Sequence, residues 1–213
     1  GGQVLVLSTS GAVERVIQLE TAPGELTPRP IGIAVASNSE IVVADANNHR
    51  VAFVDNQGHV VKSVGTGMRA AGTDGFNVPA GLTVDTIGNV YIVDTLNGRV
   101  VKLSSDGAYL REFGRLADTA GSLARPKAVA VDAAGRVFVS DGLQAAVEVF
   151  GPDGAYLGVI GRRDGEHIAS DSIFEAPSGL SLIGDRLDVI DGIAGLITLR
   201  LGEPLADPAD SAE

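Results

Sequence analysis

The sequence predicts an all-β protein: a β-propeller of four-stranded antiparallel blades, with about four and a half blades in the chain. Two observations carry that prediction. The first is an internal repeat. Pro30, Pro79, Pro126 and Pro177 stand 49, 47 and 51 residues apart, and each precedes an apolar run. An Asp follows the Pro by 15 residues in three cases (Asp45, Asp94, Asp141) and by 14 in the last (Asp191). Six residues further on stand Val51, Val100, Val147 and Ile197. Gly58, Gly107 and Gly154 follow after seven more residues, and Gly65, Gly114 and Gly161 after another seven. The second observation is that each unit divides into four short apolar runs separated by turn residues, with no helical periodicity.

Taken in order, the second full unit offers Gly81–Val84, Asn89–Val93, Arg99–Leu103 and Ala108–Phe113 as strands. The second runs of the units, such as Ile41–Ala44 and Val90–Val93, are apolar on successive residues, as strands covered on both faces require. The fourth runs (VVKSV, YLREF) mix polar and apolar residues and suit an outer edge. Gly107 and Gly154 close the third turn of their units, where a left-handed backbone is expected. The opening segment repeats the back half of a unit, since Val4 precedes Gly11 by seven residues as Val51 precedes Gly58. The units are therefore about 3–20 (partial), 30–65, 79–114, 126–161 and 177–201 (partial). The propeller spans 1–201, and 202–213 (GEPLADPADSAE) reads as an acidic tail or linker.

Composition narrows the function. The chain has 213 residues, 45% of them hydrophobic, which is material for one domain with a core. A formal charge of −11 argues against nucleic acid as a partner. Cysteine is absent, which removes disulfides, thiolate metal sites and cysteine nucleophiles. No apolar run approaches the roughly 20 residues of a membrane helix, so membrane insertion is not expected. Arg outnumbers Lys by 13 to 3, which together with abundant Ala, Gly and Val points to a GC-rich bacterial source. The chain opens directly in strand-like sequence, which fits a removed signal, an excised piece or a cytosolic protein.

In this register, residues 79–114 (PAGLTVDTIGNVYIVDTLNGRVVKLSSDGAYLREFG) and 30–65 resemble the NHL-repeat β-propellers. Both units carry an Asp, Asn and Arg pattern: Asp45, Asn48 and Arg50, then Asp94, Asn97 and Arg99. The third unit keeps Asp141 with Gln144 and Ala146, and the last keeps Asp191 with Ala194 and Leu196. The missing Arg leads us to expect that these two loops pack differently or are freed for contact. The resemblance implies a six-bladed ring, of which the chain would supply an open arc. The rival is a small closed ring in which Val13–Leu19 completes the last blade.

Because the same residues recur in several blades, Asp45, Arg50, Asp94, Arg99, Asp141 and Asp191 are read as structural repeat positions, with no catalytic residue among them. Asp85 and Asp132 are assigned to hairpin turns in preference to calcium. Phe76, Leu123 and Phe174, each three residues before a repeat Pro, are assigned to packing. Of three histidines, His59 should be exposed, and His49 has Gly98 as its counterpart, which argues against a structural need. Function is then expected on the loop face, with Arg163, Glu166 and His167 of the long 162–176 connection as binding candidates. The expectation is a non-enzymatic interaction, scaffold or ligand-sensing module without cofactor or metal. It would bind another protein through the loop face or an unpaired blade edge. The expected setting is periplasmic or extracellular, with the cytoplasm left open. The alternative is a metal-dependent propeller enzyme of lyase or hydrolase type, since some similar propellers are lyases with His ligands around a central metal.

Overall fold

The repeat grid becomes a series of blades. The computed structural model describes residues 2–36, 39–117, 121–161, 163–164, 167–168 and 173–202. A two-stranded pair opens the chain, β1 (Gln3–Leu7) with β2 (Val13–Gln18). Blade I follows as β3 (Pro30–Val35), β4 (Ile41–Asp45), β5 (Arg50–Val54) and β6 (Val60–Val64). Blade II is β7 (Pro79–Val84), β8 (Val90–Asp94), β9 (Arg99–Leu103) and β10 (Tyr109–Phe113). Blade III is β11 (Pro126–Val131), β12 (Val137–Asp141), β13 (Ala146–Phe150) and β14 (Tyr156–Ile160). A short backbone pair comes next, β15 (Arg163–Asp164) with β16 (His167–Ile168). Blade IV has three strands, β17 (Pro177–Ile183), β18 (Arg186–Asp191) and β19 (Gly195–Arg200). All strand pairs are antiparallel between chain neighbours, which is the arrangement of a β-propeller.

The burial follows the sequence pattern strand by strand. β4, β8 and β12 are buried at every position, while β6, β10 and β14 form the outer edges. Each apolar cluster lies between two blades and not within one. Phe53 and Val42 of blade I meet Phe76, Leu82 and Ile92 of blade II. Tyr91 and Phe113 of blade II meet Leu123, Val139 and Phe150 of blade III, with the Phe113 and Phe150 rings edge to face at 6.2 Å. Phe138 and Val147 of blade III meet Phe174, Leu187 and Val189 of blade IV. Val4, Ile17 and Leu19 close over Val43 and Val54 of blade I in the same way. Phe76, Leu123 and Phe174 have no exposed surface, so the chain entering each blade is pinned by one large apolar side chain.

Three glycines set the geometry. A Cβ on Gly32 would collide with the Ala80 carbonyl, so glycine here lets the innermost strands of blades I and II approach. Gly107 and Gly154 sit at φ 85° and 88°, the left-handed region expected for the hairpin closures.

Both ends of the series present uncovered apolar side chains. Leu5, Leu7, Val13 and Val16 line the open face of β1–β2, and Ile183, Ile190 and Leu196 that of blade IV. Among the described residues no strand pairing joins β2 to β19, so the closure through Val13–Leu19 is not formed. Register in blade IV departs from the sequence grid. Asp191 pairs with Gly195, whereas Asp45 pairs with Arg50, so this loop is one residue shorter. Leu196, and not Ile197, is therefore the counterpart of Val51, and Gly195 that of Arg50. The segment 203–213, expected to be an acidic tail, lies outside the described residues.

Candidate functional site: the loop face

The chain passes from the second to the third strand of each blade at one end of the sheets, and the connection between blades arrives at that same end. Side-chain amides tie the two kinds of loop together. In blade I, Asn48 Nδ2 donates to the Leu26 carbonyl while its Oδ1 accepts the Leu26 N–H, both at 2.9 Å. In blade II, Asn97 Nδ2 donates to the Ala70 carbonyl at 2.8 Å. In blade III the longer Gln144 donates to the Ser122 carbonyl, also at 2.8 Å. The replacement of Asn by Gln thus keeps the clamp, and of the two outcomes expected from the missing Arg this loop shows different packing and not release. Ala194 of blade IV has no such group. There, Asp191 itself holds the incoming chain through the N–H groups of Glu175 and Ala176.

Beneath each clamp lies the repeated carboxylate. Asp45 accepts from the Arg29 N–H, Asn48 Nδ2 and Arg50 Nε. Asp94 accepts from the Asn77 N–H, Asn97 Nδ2 and Arg99 Nε at 2.7, 2.7 and 2.9 Å. The two arginines then reach outward: Arg50 forks onto Glu25 at 2.5 and 2.9 Å, and Arg99 binds Glu112 and the Gly72 and Gly75 carbonyls. Asp141 accepts instead from the N–H groups of Arg125, Leu143 and Gln144. Asp191 accepts from four backbone N–H groups, adding Ile193 and Ala194 to the two above. The repeat carboxylates therefore hold loops in place, with Arg in blades I and II and with backbone N–H groups in blades III and IV.

Their acidities follow from these surroundings. Burial pushes the Asp94 carboxyl up, against the hydrogen bonds from Asn77, Asn97 and Arg99. Burial also acts against the charge of Arg99, but its bonds to Asp94 and Glu112 outweigh that and hold its pKa above the usual value. At Asp191 burial pushes upward too, yet the N–H groups of Ala194, Ile193, Ala176 and Glu175 together bring it below the ordinary carboxylate range.

His49 proves to have a structural place. It sits at φ 46°, the left-handed position that Gly98 takes at φ 63° and Ala145 at φ 52°. Its Nδ1 accepts the Val78 N–H at 3.1 Å, linking blades I and II. A glycine counterpart marked a backbone requirement, not a lack of one. His59 is exposed and bonds Asp55 at 3.0 Å. Asp85 and Asp132 each accept two turn N–H groups through Oδ1, as hairpin residues do. Of the binding candidates, Arg163 and His167 contribute backbone to the β15–β16 pair, where Arg163 opposes Ile168 and His167 opposes Asp164. Their side chains, and Glu166, lie outside the described residues. Among the described residues no group of three His, Asp or Glu side chains is placed to hold a metal ion.

What the sequence did not single out is the apolar content of this face. Leu26, Met68 and Leu116 on the inter-blade connections, and Leu96, Leu143 and Ile193 on the loops after β8, β12 and β18, are each more than half exposed. The last three occupy the same place, two residues after the repeat Asp. Leu116 rests beside Gly98, two residues from Leu96, so loop and connection share one surface.

Residues 27–52 match the NHL repeat. No curated protein matches the sequence. Among solved structures the fold resembles a virginiamycin B lyase from Staphylococcus aureus at 13% identity and a TM-score of 0.60. That likeness covers 95% of this chain and 64% of the lyase, so the chain spans less than two thirds of that relative. A putative 6-phosphogluconolactonase from Bacteroides uniformis is similar at 18% identity and TM-score 0.65, over 95% of this chain and 62% of the other. A chain of a nidogen/laminin complex is similar at 19% identity and TM-score 0.61, over 88% and 64%. At these identities the likeness speaks for the fold alone.

Proposed function

We propose that this NHL-repeat β-propeller is a non-enzymatic binding module that engages another protein through its loop face. The observation that carries the reading is the set of exposed apolar side chains, Leu26, Met68, Leu96, Leu116, Leu143 and Ile193, on loops fixed from below by buried, hydrogen-bonded carboxylates. Rigid loops with apolar tips lose little entropy on docking, which favours recognition. The recurring Asp and Arg side chains are engaged in holding those loops, which removes them as acid–base groups. The nidogen/laminin likeness is compatible with a binding role, and the lyase and lactonase likenesses define the rival.

The test compares wild type with the double variant Leu96→Asp, Leu116→Asp. Both residues are exposed, so the variant should fold. Immobilised wild type should retain a partner that the variant loses, and purified protein should carry no stoichiometric metal and turn over neither 6-phosphogluconolactone nor virginiamycin B. Bound metal with turnover, together with partner capture unaffected by the two aspartates, would establish the enzyme reading instead.

A further inference from the structure

Four exposed arginines outside any described ion pair gather at the loop end of the blades, although the chain as a whole is strongly acidic and the arginines of the hairpin end, Arg136, Arg186 and Arg200, are paired with Asp. The hairpin end carries Asp85, Asp106 and Asp153 in its turns, none of them in an ion pair with a described residue. The loop end carries Arg29, Arg69, Arg115 and Arg125, all exposed. None of these four guanidinium groups forms an ion pair among the described residues, whereas Arg50 and Arg99 are fully engaged in theirs. Two of the acids nearby are already held, Glu25 by Arg50 and Glu112 by Arg99, leaving Asp74 and Glu175 exposed on the same connections. Arg69 follows Met68 and Arg115 precedes Leu116, so cation and apolar side chain alternate along the rim of this face.

Resting on the binding role proposed above, we infer that the occupant of the loop face is an acidic polypeptide segment in which carboxylates alternate with large apolar side chains. Its apolar residues would settle on Leu96, Leu116 and Met68, and its carboxylates would meet Arg69, Arg115, Arg29 and Arg125. Guanidinium groups suit this task, because each presents a planar donor fork that a carboxylate can accept in bidentate fashion. An exposed cation without a partner in the free protein also has no internal bond to surrender on binding. Complementary charge of this kind steers encounter and fixes register, while the apolar contacts hold the complex. A face of one apolar character alone would accept any greasy segment. The interleaved arginines restrict it to acidic ones.

The probe is a short fluorescein-labelled peptide of alternating Glu and Leu, compared by anisotropy with its Gln–Leu counterpart. The Glu–Leu peptide should bind about tenfold more tightly, and added salt should weaken it selectively. Arg69→Gln with Arg115→Gln should erase most of that difference. Neither arginine has a described ionic partner, so a circular dichroism spectrum like that of wild type is expected. Arg186→Gln with Arg200→Gln, at the hairpin end, should leave binding unchanged. Equal affinity for the two peptides, or indifference to Arg69 and Arg115, would overturn the inference. So would capture of phosphatidylglycerol vesicles through these arginines in the absence of peptide binding. If the peptides fail while Leu96→Asp with Leu116→Asp still abolishes capture of a protein partner, the binding role stands and its acidic specificity falls.

Discussion

Replacing Asn97 by Ala tests whether the loop face is held from below as described. Two bonds are lost: Nδ2 to the Ala70 carbonyl at 2.8 Å and Nδ2 to Asp94 Oδ2 at 2.7 Å. A neutral bond of the first kind contributes about 0.5–1.5 kcal/mol, and one to a charged group about 1.5–3 kcal/mol. Asp94 is fully buried and keeps only the Asn77 N–H and Arg99 Nε, so the second loss should lie near its upper range. The expected destabilisation is about 3–4.5 kcal/mol. Gln144→Ala removes only the bond to the Ser122 carbonyl, because Asp141 is served by backbone N–H groups, and should cost about 1 kcal/mol. Urea unfolding of both variants, read as a shift in midpoint at constant slope, measures the pair. Equal costs, or a larger cost for Gln144→Ala, would refute the assignment of a dual role to Asn97. It would also detach the repeat carboxylates from the positioning of the loops.

Gly107→Val should destabilise by about 1–3 kcal/mol, since valine resists φ 85° and its Cβ would press on Val64; a cost under about 0.5 kcal/mol in urea unfolding would reject that backbone requirement. Asp191→Asn should lower the urea midpoint at neutral pH, because an amide cannot accept four N–H groups on two oxygens. The folded pKa of Asp191 is depressed, so its contribution is present above the ordinary carboxylate value and lost as pH falls through the folded one. The gap between variant and wild type should accordingly narrow only below about pH 4, and a gap that is constant down to pH 2 would contradict the charge argument. The hydrogen bond to Asp55 raises His59, so NMR titration should place it above 6.5 and Asp55→Asn should bring it back. Any stability that this pair adds is present below 6.5 and disappears as pH rises through the raised value.

The blades were legible because their determinants are local: a β-branched run, a turn glycine and a repeat Asp recur at fixed spacing. Phe76, Leu123 and Phe174 could be assigned to packing because they keep their distance from the repeat Pro. The clamps were less visible. Whether Gln144 can replace Asn48 or Asn97 depends on where the Ser122 carbonyl comes to rest, and that is decided by a connection of irregular length. The one-residue shortening at Asp191–Gly195 escaped notice because apolar residues stand at both 196 and 197. For the site, charge points to Arg163, Glu166 and His167, whose side chains lie outside the described residues, while Leu96, Leu143 and Ile193 recur two residues after the repeat Asp, a pattern equally present in the sequence. No strand periodicity demands an apolar residue at that loop position, and the proposed binding role draws on it.

Since every apolar cluster straddles two blades, no blade owns its core. Cooperativity must then travel along the series as coupling between neighbours, much as in a one-dimensional array. Blades I, II and III are supported from both sides, whereas β1–β2 and blade IV are each supported from one. Amide hydrogen exchange should therefore be slowest in β4, β8 and β12 and quicken toward both termini, through fraying that begins at the outer blades. The clamp at Asn97 lies in the most protected stretch and the backbone-held loop at Asp191 in the least, so the same face is stiff at its centre and compliant at its margin.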